Sequence, residues 1–197
     1  MPVWDERYAE DGFAYGTEPN DFLKESVDGL QPGRALCLAD GEGRNGVYLA
    51  SQGFDVLSVD QSKVGLAKAE QLARERGCTI QTQAADLNDF DMGEEKWDVI
   101  VSVFAHMPPA LRQKLHRGVV AGLKSGGVFI LEAYHPDNIG RGTGGPPDVE
   151  MCVTRKILED ELSELSFNIL CEIEREVNEG KYHSGLAAVT QAVAVKK

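Results

Sequence analysis

Between Arg34 and Ala133, short apolar runs alternate with helical stretches, and this alternation restricts the chain to an α/β sheet with helices on both faces. RALCLA (34–39), FDVLSVD (54–60), CTIQTQ (78–83), WDVIVSVF (97–104) and VFILEA (128–133) read as strands, short and apolar enough to be buried on both sides. The helices between them are NGVYLASQG, SKVGLAKAEQLARERG with Ser62 as N-cap, and PALRQKLHRGVVAGLKSGG, which opens on Pro and closes on Gly. Residues 1–30 predict a polar helical lead-in broken at YGTEPN. After this parallel region, residues 134–153 are Gly/Pro-rich and predict a loop, and TRKILEDELSEL predicts an amphipathic helix. FNILCEIEREV (167–177) and GLAAVTQAVAV (185–195) then predict an antiparallel hairpin around NEGKYHS. The expected sheet is seven-stranded and mostly parallel, in one domain spanning 1–197.

Charge narrows the class of partner. At −12 the chain is poorly suited to neutralising phosphates, so nucleic acid is not the expected partner. The four cysteines are scattered without a C-x-x-C pair, and predict buried, reduced thiols with no metal. MPVWDERYAEDG carries charges where a signal peptide needs an apolar stretch. The longest apolar run, Val99 to Ala105 broken by Ser102, is far shorter than the roughly 20 residues of a membrane span. A cytoplasmic chain, monomer or homodimer, acting on a small molecule is the expectation.

The loop after the first strand reads Ala39-Asp40-Gly41-Glu42-Gly43-Arg44-Asn45-Gly46, and Asp60 ends the next strand. Glycines here let backbone approach a ligand, and a carboxylate grips two ribose hydroxyls through charge-assisted hydrogen bonds. Taken literally this is also the G-x-G-x-x-G of dinucleotide domains. Three features oppose that reading. Asp86 follows the third strand in AADL where an adenine edge lies, a lead-in of about thirty residues precedes the first strand, and a hairpin replaces a sixth parallel strand.

With these residues in view the sequence resembles the class I S-adenosylmethionine-dependent methyltransferases. Within them it is similar to the small bacterial group around tellurite resistance and thiopurine methylation. The resemblance rests on WDERYAEDGFAYGTEPNDFL, LADGEGRN, Asp60, AADL, WDVIVSVFAHMPP, LKSGGVFILEAYHP and EGKYHSG. It implies a Rossmann-like fold and S-adenosylmethionine as cofactor, with S-adenosylhomocysteine as product. The chain departs from the family's D-x-G-x-G-x-G, because Cys37 and Ala39 stand in the places of the acid and the first glycine. A negative φ lets Ala39 fit a tight turn, and Asp40 or Glu42 then meets the cofactor's amino group.

The resemblance further implies that Ala39, Gly41 and Gly43 pack along the methionyl and ribose parts. It gives the ribose hydroxyls to Asp60, a place beside the adenine to Gln61, and the adenine edge to Ala85, Asp86 and Leu87. A helix-capping role for Asp60 and a turn role for Asp86 stand beside these readings. Arg44 and Asn45 fit cofactor contact, or equally a salt bridge and an N-cap. Tyr15 and Gly16 fit a fold over the methionyl end, or an ordinary packed turn. Trp4 and Tyr8, one helical turn apart, are expected to pin the lead-in to the core. Phe104, Ala105 and His106 follow the fourth strand, where the family places the transferred methyl, and His183 reaches the same mouth. His106 and His183 are the candidate catalytic bases, with His135 and Glu132 at the rim.

Methyl transfer from a sulfonium needs alignment and exclusion of water, and a base only when the nucleophile is protonated. A small, soft acceptor such as tellurite, selenite, a thiol or a small metabolite is the expectation. A non-catalytic protein binding S-adenosylmethionine or S-adenosylhomocysteine, and a nicotinamide-dependent oxidoreductase, are the alternatives.

Overall fold

The computed structural model describes residues 3–197. In chain order its elements are α1 (Val3–Tyr8), α2 (Asp21–Ser26), β1 (Arg34–Leu38), α3 (Arg44–Ser51), β2 (Asp55–Asp60), α4 (Lys63–Glu75) and β3 (Gln81–Ala84). These are followed by β4 (Trp97–Val103), α5 (Pro109–Gly122), β5 (Leu123–Tyr134), α6 (Arg155–Glu161), β6 (Leu165–Glu179) and β7 (His183–Lys196). The sheet has seven strands in the order β3-β2-β1-β4-β5-β7-β6. β1 to β5 run parallel, while β7 is antiparallel to both β5 and β6.

Alternation along the central strands divides the core into two layers. Leu36, Leu38 and Ile100 point to one face and pack with Leu115 and Val119 of α5 and Leu158 of α6. Ala35, Cys37, Val99 and Val101 point to the other, against Phe22 and Leu23 of α2 and Leu49 of α3. This is the two-sided burial that a parallel sheet requires. Ser62 caps α4 by accepting the Gly65 N–H at 3.0 Å, and Thr154 caps α6 by accepting that of Ile157 at 3.2 Å.

Several boundaries differ from the sequence reading. The helix expected to run to Gly127 stops at Gly122, because Leu123 is fully buried and pairs with Trp97, which draws LKSGG into β5. A register shift between Trp97 and Val99 and a left-handed Gly126 (φ 78°) absorb the misfit. β3 begins at Gln81 rather than Cys78, whose N–H is spent on the Ala73 carbonyl behind α4. It is an edge strand, largely exposed rather than buried on both sides. The lead-in holds two six-residue helices separated by the predicted turn. All four cysteines are free, but only Cys37 and Cys152 are buried. Among the described residues no helix is long and apolar enough to cross a membrane.

Candidate active site at the carboxyl ends of the strands

A cavity of about 510 Å³ opens beyond the carboxyl ends of β1, β2, β3 and β4, where open α/β sheets bind ligands. Its volume lies in the roughly 300–1,000 Å³ range of small-molecule sites. One end is built from the loop after β1. Ala39, Asp40, Gly41, Glu42, Arg44 and Asn45 contribute to the wall. Ala39 adopts φ 50°, the left-handed region, against the expected negative value. The turn thus takes a conformation that favours glycine, at the energetic cost of a Cβ there.

Asp60 closes β2 at the same wall and is 5 % exposed. Its carboxylate accepts the backbone N–H of Gly41 at 2.9 Å and that of Ser62 at 2.8 Å. Burial raises its pKa, and those N–H donors oppose the rise. The carboxylate therefore supports the turns on either side and borders the cavity as well. Gln61 is exposed beside it. Past β3, Asp86 and Leu87 line the wall, with Asp86 also accepting the Asn88 N–H at 2.8 Å as a turn residue.

Asp40 points behind the loop. It accepts the Gly46 N–H in the first turn of α3 at 3.3 Å and the Ser58 hydroxyl at 2.6 Å. Burial raises its pKa to about 7. Glu42 is also engaged, accepting from the Ala14 N–H at 2.7 Å and Lys68 at 2.9 Å. Both acids are thus committed to holding the loop and lead-in rather than standing free for a ligand amine. Gly43 is not in the wall. It opens α3 at φ 83°, where a side chain would overlap Ala69 of α4. Ala85 is not in the wall either; its N–H bonds the Asp60 carbonyl at 3.0 Å and its methyl packs into the core.

The other end of the cavity is aromatic. Phe104, at φ 51°, stacks on Tyr134 with centroids 4.6 Å apart and meets the His183 ring at 4.8 Å. His106 stacks on Tyr134 at 5.3 Å, and Tyr15 lies 4.6 Å from His183. His106, His183, Phe104 and Ala105 all border the cavity. Nε2 of His106 and Nδ1 of His183 are buried without a hydrogen-bond partner. Burial lowers the pKa of His106 to about 4 and that of His183 to about 3, the latter also through the positive charges of Arg44, Arg7 and Arg175. Both imidazoles are neutral at pH 7.

A roof covers this end. The Gly16 turn (φ 73°) packs on Gly180 at the hairpin tip, and the Lys181 N–H bonds the Ala14 carbonyl at 2.9 Å. Trp4 and Tyr8 stack with centroids 5.8 Å apart, and both reach the cavity wall as well as anchoring α1. The sequence reading missed Arg7, Tyr182, Met107, Pro108 and Leu111, along with Gly144 and Gly145 of the Gly-rich loop, all of which contribute to the wall. A side chain on Gly144 would strike His183 and Tyr182, so the GTGG run was a usable signal. Arg7 carried none, because an arginine on a short polar helix reads as solvated surface.

Arg44, Asn45 and Glu132 turn out to belong to a buried polar network. Arg44 pairs with Glu179 at 2.5 Å, and Asn45 accepts the Asn20 N–H at 3.0 Å. Glu132, expected at the rim, is fully buried and receives two hydrogen bonds from Arg175, both at 2.7 Å, one from Gln191 at 2.7 Å and one from Asn20 at 2.5 Å. His135 lies outside the cavity wall, 3.4 Å from Glu172. The sequence could not place Glu132, because alternation alone does not reveal the Arg175 fork across the sheet.

The family described as "Tellurite resistance protein TehB" matches residues 2–130. Among curated relatives, an uncharacterized methyltransferase YbaJ of Bacillus subtilis (strain 168) is 33 % identical over 121 residues, 61 % of this chain and 48 % of that protein. An uncharacterized methyltransferase sll0829 of Synechocystis sp. is 36 % identical over 113 residues, 55 % of this chain and 51 % of the other. The chain thus spans about half the length of these relatives. The crystal structure of TehB from Haemophilus influenzae superposes with a TM-score of 0.74 at 20 % identity, covering 89 % of this chain and 61 % of that one. Since the match begins ahead of the roof helix and extends into the fifth strand, this chain belongs to the tellurite resistance protein TehB family, and its fold is that of the class I S-adenosylmethionine-dependent methyltransferases.

Proposed function

We propose that the chain is a methyltransferase that binds S-adenosylmethionine between the β1 loop and the ends of β2 and β3, and transfers its methyl group to a small, soft acceptor. The observation that carries this reading is the occupation of the α3 N-terminus. A diphosphate would need the free N–H groups and positive dipole end there, yet Asp40 places a carboxylate against the Gly46 N–H. That hydrogen bond takes a first-turn N–H of α3 away from a diphosphate. The remaining polar groups suit a nucleoside, with Asp60 accepting from ribose hydroxyls and Asp86, Leu87 and Gln61 toward the adenine.

When bound, S-adenosylmethionine supplies an electrophilic methyl on a sulfonium whose departure needs no acid. The roof formed by α1, Tyr15 and the hairpin tip excludes water and holds the acceptor in line. His106 and His183 border the acceptor end as neutral hydrogen-bonding groups. With pKa values near 4 and 3 they are weak bases at pH 7, so the site suits nucleophiles that need no deprotonation on the enzyme.

The test is calorimetric. S-adenosylhomocysteine is expected to release heat on binding and NADH none. Asp60→Asn, which keeps one acceptor oxygen for the loop, is expected to weaken binding at least tenfold through lost charge-assisted hydrogen bonds. Binding of NADH without S-adenosylhomocysteine would overturn the proposal.

A further inference from the structure

The cavity is electrically divided. Asp60 and Asp86 border the end toward β2 and β3, where Glu42 is paired with Lys68, while the roofed end holds two guanidinium groups and two neutral imidazoles. Of those two cations, Arg44 is neutralised by Glu179. Arg7 meets no carboxylate within ion-pair distance among the described residues, although acidic groups outnumber basic ones 32 to 20 along the chain. Among the described residues its one hydrogen-bond acceptor is the Tyr15 hydroxyl, at 2.9 Å. The guanidinium lies over the Tyr182 ring at 4.7 Å and the Trp4 ring at 5.3 Å. Those rings fix the plane of the group without discharging it. The nearby acid Glu10 is already taken by Lys181 and Tyr182.

An oriented, half-desolvated guanidinium with unused N–H donors is suited to the planar fork of a carboxylate, which it binds bidentately. A purely apolar acceptor gains nothing from such a group and loses by covering it. Resting on the methyl-transfer reading above, we infer that Arg7 selects the acceptor: the site takes a small organic acid whose carboxylate docks on Arg7 while its nucleophile lies farther in, beside Phe104 and His106. A clamp holding α1 onto the hairpin and a seat for the cofactor's own methionyl carboxylate beside Tyr15 are the other roles this geometry allows; both would treat charged and neutral acceptors alike, and the second would also show as lost S-adenosylhomocysteine affinity in Arg7→Met.

The experiment uses the full chain loaded with S-adenosylhomocysteine and titrated with isosteric pairs. 3-Mercaptopropionate is compared with 3-mercaptopropionamide, and butyrate with butyramide so that no thiol is required. Each carboxylate is expected to bind at least tenfold tighter than its amide. Arg7→Met is expected to abolish that ratio, and Arg7→Lys to restore part of it. Equal affinities within each pair, or a ratio that survives in Arg7→Met, would overturn the inference, as would selenite or tellurite binding where neither carboxylate does. S-adenosylhomocysteine affinity, measured first on every variant, reports whether the cofactor site has formed. Its absence in the wild type counts against the methyltransferase reading and leaves the charge comparison a separate result.

Discussion

Ala39 is held at φ 50° between the end of β1 and Asp40, whose N–H bonds the Val59 carbonyl at 3.2 Å. A Cβ in the left-handed region costs roughly 1–2 kcal/mol, and glycine would recover that less about 0.5–1 kcal/mol of chain entropy. Ala39→Gly is therefore expected to stabilise the protein by about 0.5–1 kcal/mol, read as a higher urea midpoint at unchanged slope. A lower midpoint would mean that the Ala39 methyl contributes packing that outweighs the strain. The sequence exposed the position but misled on its conformation: alanine normally signals negative φ, and only the parallel pairing of β1 with β2 and β4 forces the turn. Asp60 was the opposite case. A carboxylate ending a strand beside a Gly-rich turn has few other places to go, and the structure sets it at the cavity wall with both flanking N–H groups in hand.

Among the elements, the closing hairpin and the lead-in are joined through buried charge as well as through the aromatic contacts of Tyr15 with Tyr182 and His183. Glu132 of β5, Glu179 and Arg175 of β6, Arg44 of α3 and Asn20 before α2 form one connected set. Removing one charge from such a set strands its partner, which typically costs 3–5 kcal/mol. Glu132→Gln leaves Arg175 without its forked acceptor, and is expected to lose about 3 kcal/mol of stability in chemical denaturation; a loss under 1 kcal/mol would show that Glu179 alone neutralises Arg175. The strands and helices themselves were readable, since period and punctuation depend on local residues. The boundaries that failed, at Gly122 and Gln81, are those where a neighbouring strand or helix end decides whether backbone is paired. Glu132 was misplaced for the same reason. Its partners lie 43 and 59 residues onward.

Across the whole molecule, buried ionisable groups pull stability in opposite directions with pH. Asp40 has its pKa raised from an ordinary 3.8 to about 7, so in this range the folded state binds more protons than the unfolded one. That contribution is present below pH 4 and is lost as pH rises toward 7. His106 and His183 are lowered from 6.5 to about 4 and 3, so their contribution is present above pH 6.5 and lost as pH falls. Between pH 4 and 6.5 two histidines oppose one aspartate, and stability from these groups peaks near pH 6.5–7. Asp40→Asn removes only the first effect. Its stability relative to wild type is expected to rise by about 2–3 kcal/mol between pH 5 and 8, at 1.36 kcal/mol per pKa unit. Urea unfolding across that range checks it; a difference that does not change with pH would mean that Asp40 is ionised throughout.

The roof is fastened differently from everything beneath it. Lys181 to Glu10 and Lys68 to the Glu10 and Gly12 carbonyls are solvent-facing ties, the exposed ion pair of a kind that contributes at most about 1 kcal/mol, and inside them Tyr8, the Ala14 N–H to Glu42 bond and the Tyr15–His183 contact add buried support. The sheet below rests on two apolar layers and a sealed set of charges. Segments so unequally secured are expected to open independently, and hydrogen exchange faster at the α1 amides than at those of β1 and β4 would show it. On the methyl-transfer proposal, entry to the chamber is expected to follow the opening of that hatch, and turnover to be capped by it.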